Sequence, residues 1–552
     1  MIKGWRAQGG GMQRAVQQLH SLLTAALFAM LLAVSGSGRA ADDVVHYTVV
    51  RGDTLIGLAE RLFVDPARWP GVQRTNRIAN PRRIPVGTVL RIPVTLLRKA
   101  PRAARVVFLA GEASADGGAL AVGDMLTEGM QLATGADSFM TVELPEGSRL
   151  TLQPDSDVRI EAMHGFEGFD GAQRSTFRVD RGRIETEVKA QRGPAARYRI
   201  HTPTAVIGVR GTSFRVSAED DLTRAEMRSG QVRVTGEVPG QSAVLEAGFG
   251  IVARAGAPLP KPVALLPAPE LASLPALHER PLLRFALDPV GGAVAYRGQV
   301  ARDPEFTRIV AETRVAFPDL KIDGLPDGDY YLRARGIDSR GLEGRDAQRP
   351  FRLKARPEPP FVSAPRPDGK VSAGTVDFAW SRAEGAARYR FALSASEDFT
   401  RPLIVETALE QPAHQLTLKA GEYFWRLAST RADGDLGPWG DPVRLTVRPP
   451  QAAPAPPAFD EASMFIAWSG EPGQTFDYQL ADDERFAAVV SSGRTDVPEL
   501  TLLRPAPGAY YLRIRAIDPD GFVGAYSATQ QVIVPAQWPR WMLGTPLLIF
   551  LL

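Results

Sequence analysis

The 552-residue sequence contains no cysteine. That absence excludes disulfides, thiolate nucleophiles, thiolate metal sites and a lipidated cysteine at the start of a mature chain, so stability has to come from buried cores. Charge of one sign is also lacking. Sixty-five Lys and Arg stand against 62 Asp and Glu, a net +3 with no long basic run to follow a phosphate backbone, which argues against nucleic acid as a partner. Long hydrophobic runs are missing too. The run Leu22–Val34 has 13 residues, whereas a helix needs about 20 to cross a bilayer. Helical periodicity is scarce outside one short stretch, and the ingredients of catalysis are not visible. There is no nucleophile beside a base, no paired carboxylates, no metal cluster and no phosphate loop. His46, His164, His201, His278 and His414 are isolated and lack metal-ligand spacing. The expectation is a protein that is not an enzyme, with no catalytic residues, no metal and no cofactor.

What is present is an ordinary globular balance, 44% apolar and 23% charged, with 52 Gly and 45 Pro scattered as turn punctuation between short β-rich runs. A chain of this length exceeds a single core, since domains run about 50 to 250 residues, and four or five units are expected. Residues 1–40 have a signal-peptide layout: Lys3, Arg6 and Arg14, the apolar run, then small residues to Ala40. Cleavage after Ala40 is expected, which places the protein in the periplasm or cell envelope.

Residues 46–94 read as strand, helix, helix, strand. His46 to Val50 is extended, and Asp53 or Thr54 can cap a helix whose apolar face is Leu55, Leu58, Ala59 and Leu62. Pro66 and Trp69 open a second helix, Asn80 and Pro81 make a turn, and Val86 to Pro93 returns. The ordered set Tyr47, Val49, Gly52 to Leu55, Trp69, Asn76, Ile78, Asn80, Pro81, Ile84, Gly87, Leu90, Ile92 and Pro93 resembles the LysM family. That resemblance implies weak binding of N-acetylglucosamine-containing glycan, hence of peptidoglycan, in a shallow groove. Gly52, Asp53, Thr54 and Leu55 would form one wall, and Ile78, Ala79, Asn80 and Pro81 the other. Leu58, Trp69 and Leu90 read as core.

A basic linker, Leu97 to Arg105, leads to strands alternating with turns over 105–256, an arrangement expected of a sandwich or stacked β-solenoid. Within it, Thr202, Pro203, Ala205, Gly208, Val209, Arg210, Gly211, Thr212 and Phe214 resemble the periplasmic domain of FecR-like proteins, which in iron uptake relays receptor occupancy to a sigma factor. Only about 20 residues precede the apolar run here, so the inner half of such a relay is expected to be missing. Arg210 reads as part of a glycine turn rather than a ligand contact.

After a proline-rich linker, 257–277, the chain repeats. Tyr330, Tyr423 and Tyr510 fall in register, as do Phe306, Phe399 and Phe486, with offsets of 93 and then 87 residues in both series. The units 278–355, 361–448 and 458–535 resemble fibronectin type III domains, with Trp380 and Trp468 on an early strand. A string of beads is expected, with the tyrosines tying corners through their hydroxyls. Asp518 and Asp520 read as turn residues, because calcium takes six to eight oxygens. The tail 538–552 carries 12 apolar-rich residues from Trp541, about 18 Å as a helix and too short to span a bilayer; it reads equally as an interfacial membrane contact, a partner-binding tail or the front of a longer segment.

The fold class expected is therefore mainly β and multidomain: a small β-α-α-β LysM module, a central all-β FecR-like domain and three Ig-like or fibronectin type III-like β-sandwiches. The expected function is an exported envelope protein that binds peptidoglycan and presents surfaces to another, unidentified envelope protein. The second reading is a periplasmic sensor in a FecR-type pathway.

Overall fold

The computed structural model describes residues 44–190, 196–209 and 211–537. The signal segment, Arg210 and the apolar tail lie outside the described residues. The chain forms two compact units. One holds the described residues up to Leu274 with Arg284–Ile322 and Tyr330–Pro350, and the other holds Pro275–Leu283, Asp323–Asp329 and the chain from Phe351 onward. Among the described residues no helix is long and apolar enough to cross a membrane.

The first unit opens with β1 (Val44–Thr48), paired antiparallel with β2 (Val89–Pro93) so that Tyr47 faces Leu90. Between them, α1 (Leu55–Leu62) begins at Thr54, whose hydroxyl accepts the Gly57 N–H at 3.0 Å and satisfies a donor that the first helical turn leaves free. Thr54 is thus the helix cap, and Asp53 serves elsewhere. The buried residues of α1 are Leu55, Leu58, Ala59 and Leu62, one face at helical spacing. α2 (Trp69–Thr75) ends at Asn76. The Asn76 amide donates to the carbonyls of Val72 and Arg91, and its oxygen accepts the Arg91 N–H at 2.7 Å, which fastens α2 to β2.

Leu97 to Arg105, read as a linker, is built into the fold. Lys99–Pro101 pairs with His164 to Phe166, and Ala103–Ala110 is a strand of the central domain. The apolar core of the LysM-like module continues into Phe166 and Ala172, with Phe169 packed against it. Arg98 closes the end of α1 by donating to the carbonyls of Glu60 and Phe63.

The central domain is a closed barrel-like wall around one core, which includes Leu132, Met140, Leu150, Val158, Phe177, Ile200, Phe214 and Ile251. Its strands close on themselves, most of them antiparallel, with a parallel pairing between Arg174–Arg178 and Arg197–His201. β3 (Asp157–Phe166) pairs with β4 (Phe169–Glu187) as far as Arg181. From Gly182 onward β4 pairs instead with β5 (Ser213–Glu219), which is followed by β6 (Leu222–Ser229). Gly182 makes that corner. Its φ is +92°, and a Cβ there would lie 2.4 Å from the Ser156 Cα.

The segment 257–277, also read as linker, is built into the first unit as far as Leu274. Val263–Ala264 pairs with Phe249 and Gly250, Leu265, Leu271 and Leu274 are buried, and the Arg345 N–H donates to the Leu266 carbonyl at 2.9 Å. In the first repeat, β7 (Ala295–Ala301) is buried at every residue between β8 (Ile309–Val315) and β9 (Gly328–Ile337). This departs from the string of beads: the first repeat shares a unit with the barrel because its outer sheet face is covered.

In the second unit, the second repeat packs Phe378, Trp380, Phe391 and Trp425 between its sheets, and the third packs Trp468, Phe476 and Leu512. Tyr423 and Tyr510 each donate to the carbonyl four residues upstream, at 3.1 Å. Asp518 and Asp520 both accept from Lys370 at 2.7 Å, so these turn carboxylates have a protein partner.

Candidate functional site

The two segments expected as groove walls come together. The Leu55 N–H donates to the Pro81 carbonyl at 2.8 Å, joining the loop before α1 to the loop after α2. Gly52, with φ +95°, turns the first loop. The second is held to α2 by a reciprocal pair: the Ile78 N–H donates to the Gln73 carbonyl, and the Gln73 amide donates back to the Ile78 carbonyl at 2.9 Å. Asn80 turns the chain by accepting the Arg82 N–H on its side chain and the Arg83 N–H on its carbonyl.

The eight residues do not play one part. Gly52, Ala79 and Asn80 are exposed, and Asp53, Thr54, Ile78 and Pro81 are half-buried. The backbone of Gly52 and Ala79 and the Asn80 Nδ2 make no hydrogen bond among the described residues. The Leu55 side chain is buried in the core, so it lies beneath the two loops. Thr54 is committed to its cap. Asp53 accepts from the Tyr47 hydroxyl at 2.7 Å, the Val50 N–H at 2.9 Å and Arg61 at 3.3 Å. Burial pushes its carboxyl up, but these three donors outweigh burial and hold it below the ordinary aspartate value. Leu58 and Leu90 are core, as expected, and Trp69 packs against that core half-buried.

A second concentration of functional groups, which the sequence reading missed, lies within the first unit where the barrel meets the first repeat. Arg333 and Arg335 of β9 are fully buried. Arg333 donates to Glu185 of β4 at 2.7 Å, and Glu185 also faces Arg228 of β6 at 3.3 Å. Arg215 of β5 reaches Asp346 at 2.9 Å and the carbonyls of Glu343 and Gly344. Arg335 binds Glu343, and Arg183 and Arg297 share Glu312. Beside this network Phe139 of the barrel packs with Phe306 and Ile309 of the repeat. Burial alone would raise these acids, yet the guanidiniums of Arg335, Arg215 and Arg183 bring Glu343 down to about 2, and Arg215 and Arg333 hold Asp346 low. Glu226 goes the other way, to about 7, because burial and the nearby Glu343 outweigh Arg215 at 3.9 Å. A cleft of 840 Å³ opens here, lined by Asp155, Arg181, Arg224, Glu226 and Arg314 among others.

The missed signal was a difference between repeats. At the places of Gln299, Glu312, Arg335, Glu343 and Asp346 the second repeat has Ala392, Val405, Ala428, Leu436 and Trp439. Two histidines are also less isolated than the sequence suggested. His164 meets Glu128 and His201 meets Glu161, both at 2.6 Å. Among the described residues no group of three His, Asp or Glu is placed to hold a metal.

Comparison with known families agrees with these segments. Residues 47–93 match the LysM domain and residues 130–233 match the FecR protein family. No curated protein matches the chain. Among solved structures, a putative anti-sigma factor from Parabacteroides distasonis is 20% identical, covering 24% of this chain and 59% of that one, with a TM-score of 0.21. This chain thus spans less than two thirds of that relative. The FN1–FN3 domains of chicken CNTN1 are 14% identical over 49% of this chain and 99% of that one, with a TM-score of 0.21. The fibronectin(III)-like modules of Clostridium thermocellum CbhA are 14% identical over 31% and 90%, with a TM-score of 0.20. Residues 47–93 are thus matched by a LysM domain and residues 130–233 by a FecR domain, both non-catalytic kinds of domain.

Proposed function

We propose that this protein is an exported, non-catalytic component of the bacterial cell envelope, held on peptidoglycan by its LysM domain. The observation that carries the reading is the pair of loops joined by Leu55 and Pro81, exposed at Gly52, Ala79 and Asn80 over a rigid core. Unpaired backbone groups beside half-buried apolar side chains suit N-acetyl groups and pyranose faces. A groove this shallow buries little area, so one module binds weakly. The wall positions that meet the sugar are Gly52, Ala79, Asn80, Ile78 and Pro81, with Asp53, Thr54 and Leu55 shaping them. On this reading the FecR domain and the repeats present surfaces to a second envelope protein, and the module is their address on the wall.

The test is retention of the full exported chain on insoluble peptidoglycan. The expected result is retention above a control protein, reduced at least fivefold in Asn80→Ala combined with Ala79→Glu, and a mature N-terminus at Ala41. A protein that stays in the supernatant would overturn the reading. A regulatory role for the FecR domain is the second reading, favoured by the match over 130–233. It predicts that deleting the gene changes transcription of a defined set of envelope genes.

A further inference from the structure

We propose that the LysM groove selects glycan that carries carboxylates over a neutral N-acetylglucosamine polymer; this rests on the glycan-binding reading above. Residues 44–96 contain eight arginines and no lysine against three carboxylates, an excess larger than the +3 of the whole chain. Two of the eight are neutralised inside the module, Arg61 by Asp53 at 3.3 Å and Arg68 by Asp65 at 3.4 Å. The remaining six have no ion-pair partner among the described residues. Four of these border the two walls directly: Arg51 precedes Gly52, Arg77 precedes Ile78, and Arg82 and Arg83 follow Pro81. All four are exposed.

The carboxylate nearest the groove, Asp53, is turned inward by its three donors, with only 6% of its side chain exposed, so it does not offset the rim. Docking on the barrel uses Leu62, Phe63 and Leu97 and leaves the arginine-bordered loops open. A neutral sugar polymer gives a guanidinium nothing to pair with. Peptidoglycan offers carboxylates from two sources, the peptide stems and the lactyl groups that remain when stems are removed. Attraction across a rim of this kind is screened by salt over about 10 Å at 0.1 M, so the preference has an ionic-strength signature.

The experiment measures retention of the full mature chain on three insoluble polymers: chitin, intact peptidoglycan, and peptidoglycan stripped of its stems by an amidase. Each is tested at low and high NaCl. Binding to intact peptidoglycan is expected to exceed binding to chitin and to weaken by roughly fivefold or more with salt, while chitin binding stays flat. The variant combining Arg51→Gln, Arg82→Gln and Arg83→Gln is expected to bring peptidoglycan down to the chitin level. In stem-bearing units the lactyl carboxyl is held in an amide, so retention on the stripped polymer shows that the lactyl carboxylates exposed by the amidase also serve, and its loss confines the contact to the stems. Equal, salt-independent binding to chitin and peptidoglycan would overturn the selectivity and leave wall binding standing. Binding to none of the three would remove both.

Discussion

Glu226 illustrates how a single side chain sets the pH response of the junction between barrel and first repeat. Its carboxyl is raised to about 7 by burial and by Glu343, so the stability it contributes is complete below the ordinary glutamate value and is lost as pH rises through 7. Glu185, Glu343 and Asp346 are lowered, and what they contribute is present at neutral pH and lost on acidification. Glu226→Gln keeps an acceptor for the Glu343 N–H and removes the charge. It should stabilise the fold at pH 8 by on the order of 1–3 kcal/mol, read by denaturant titration, and change little at pH 5. Equal effects at both pH values would contradict the assignment. Arg333→Ala leaves Glu185 buried with Arg228 alone and should cost about 3–5 kcal/mol in denaturant titration. None of this was legible in the sequence. Charged residues on alternate positions of a strand look like a solvent face, and only the covering sheet makes Arg333 and Arg335 interior residues.

At the scale of the element, the repeats share a device that the sequence located without explaining. Phe306, Phe399 and Phe486 all have positive φ, between +53° and +58°, a conformation uncommon for a bulky residue. Over each ring lies the arginine of the following tyrosine-bearing strand, Arg333, Arg426 or Arg513, at 4.3, 4.1 and 3.9 Å from the ring centroid. The matched spacing of 93 and 87 residues thus reflects a matched contact. In the second repeat Arg426 also stacks on Trp439 at 4.8 Å and among the described residues has no close ion pair, only the longer-range attraction of Glu279, so Arg426→Ala should cost only about 1–2 kcal/mol. A cost equal to that of Arg333→Ala would mean that the stacking, and not the buried ion pairs, supplies most of the stability. The hairpin joining β3 to β4 turns at Gly168, where φ is +73° and a Cβ would sit 2.7 Å from a Leu62 methyl. Gly168→Ala should therefore destabilise the docking of the LysM domain by about 1–2 kcal/mol, measured as earlier exchange of the α1 amides.

For the molecule as a whole, the consequence is that LysM domain, barrel and first-repeat sheet cohere as one unit rather than as tethered beads. Both segments read as linkers, Leu97 to Arg105 and 257–277, have paired backbone and buried leucines. Trypsin should accordingly cut slowly at Arg98, Lys99, Arg102 and Arg105 despite their basic side chains, while the native fold persists. Rapid cleavage there would restore the beaded picture. If the chain binds the wall as proposed, fixing the LysM domain on the barrel gives a defined presentation of its FecR domain, which a flexible tether would not.

The sequence by itself determined the β-α-α-β module, the two loops that meet beside it, the β-rich centre and the three-fold repeat. Those features depend on local spacing: the apolar face of α1, the Asn80-Pro81 turn, and tyrosines and phenylalanines at common offsets. Tertiary structure alone decided which wall residues remain exposed, since Leu55 and Asp53 turn inward through contacts with Pro81, Tyr47 and Arg61. It also decided that the first repeat is covered by the barrel, because Glu185 and Arg333 lie 148 residues apart and meet only when both sheets have formed.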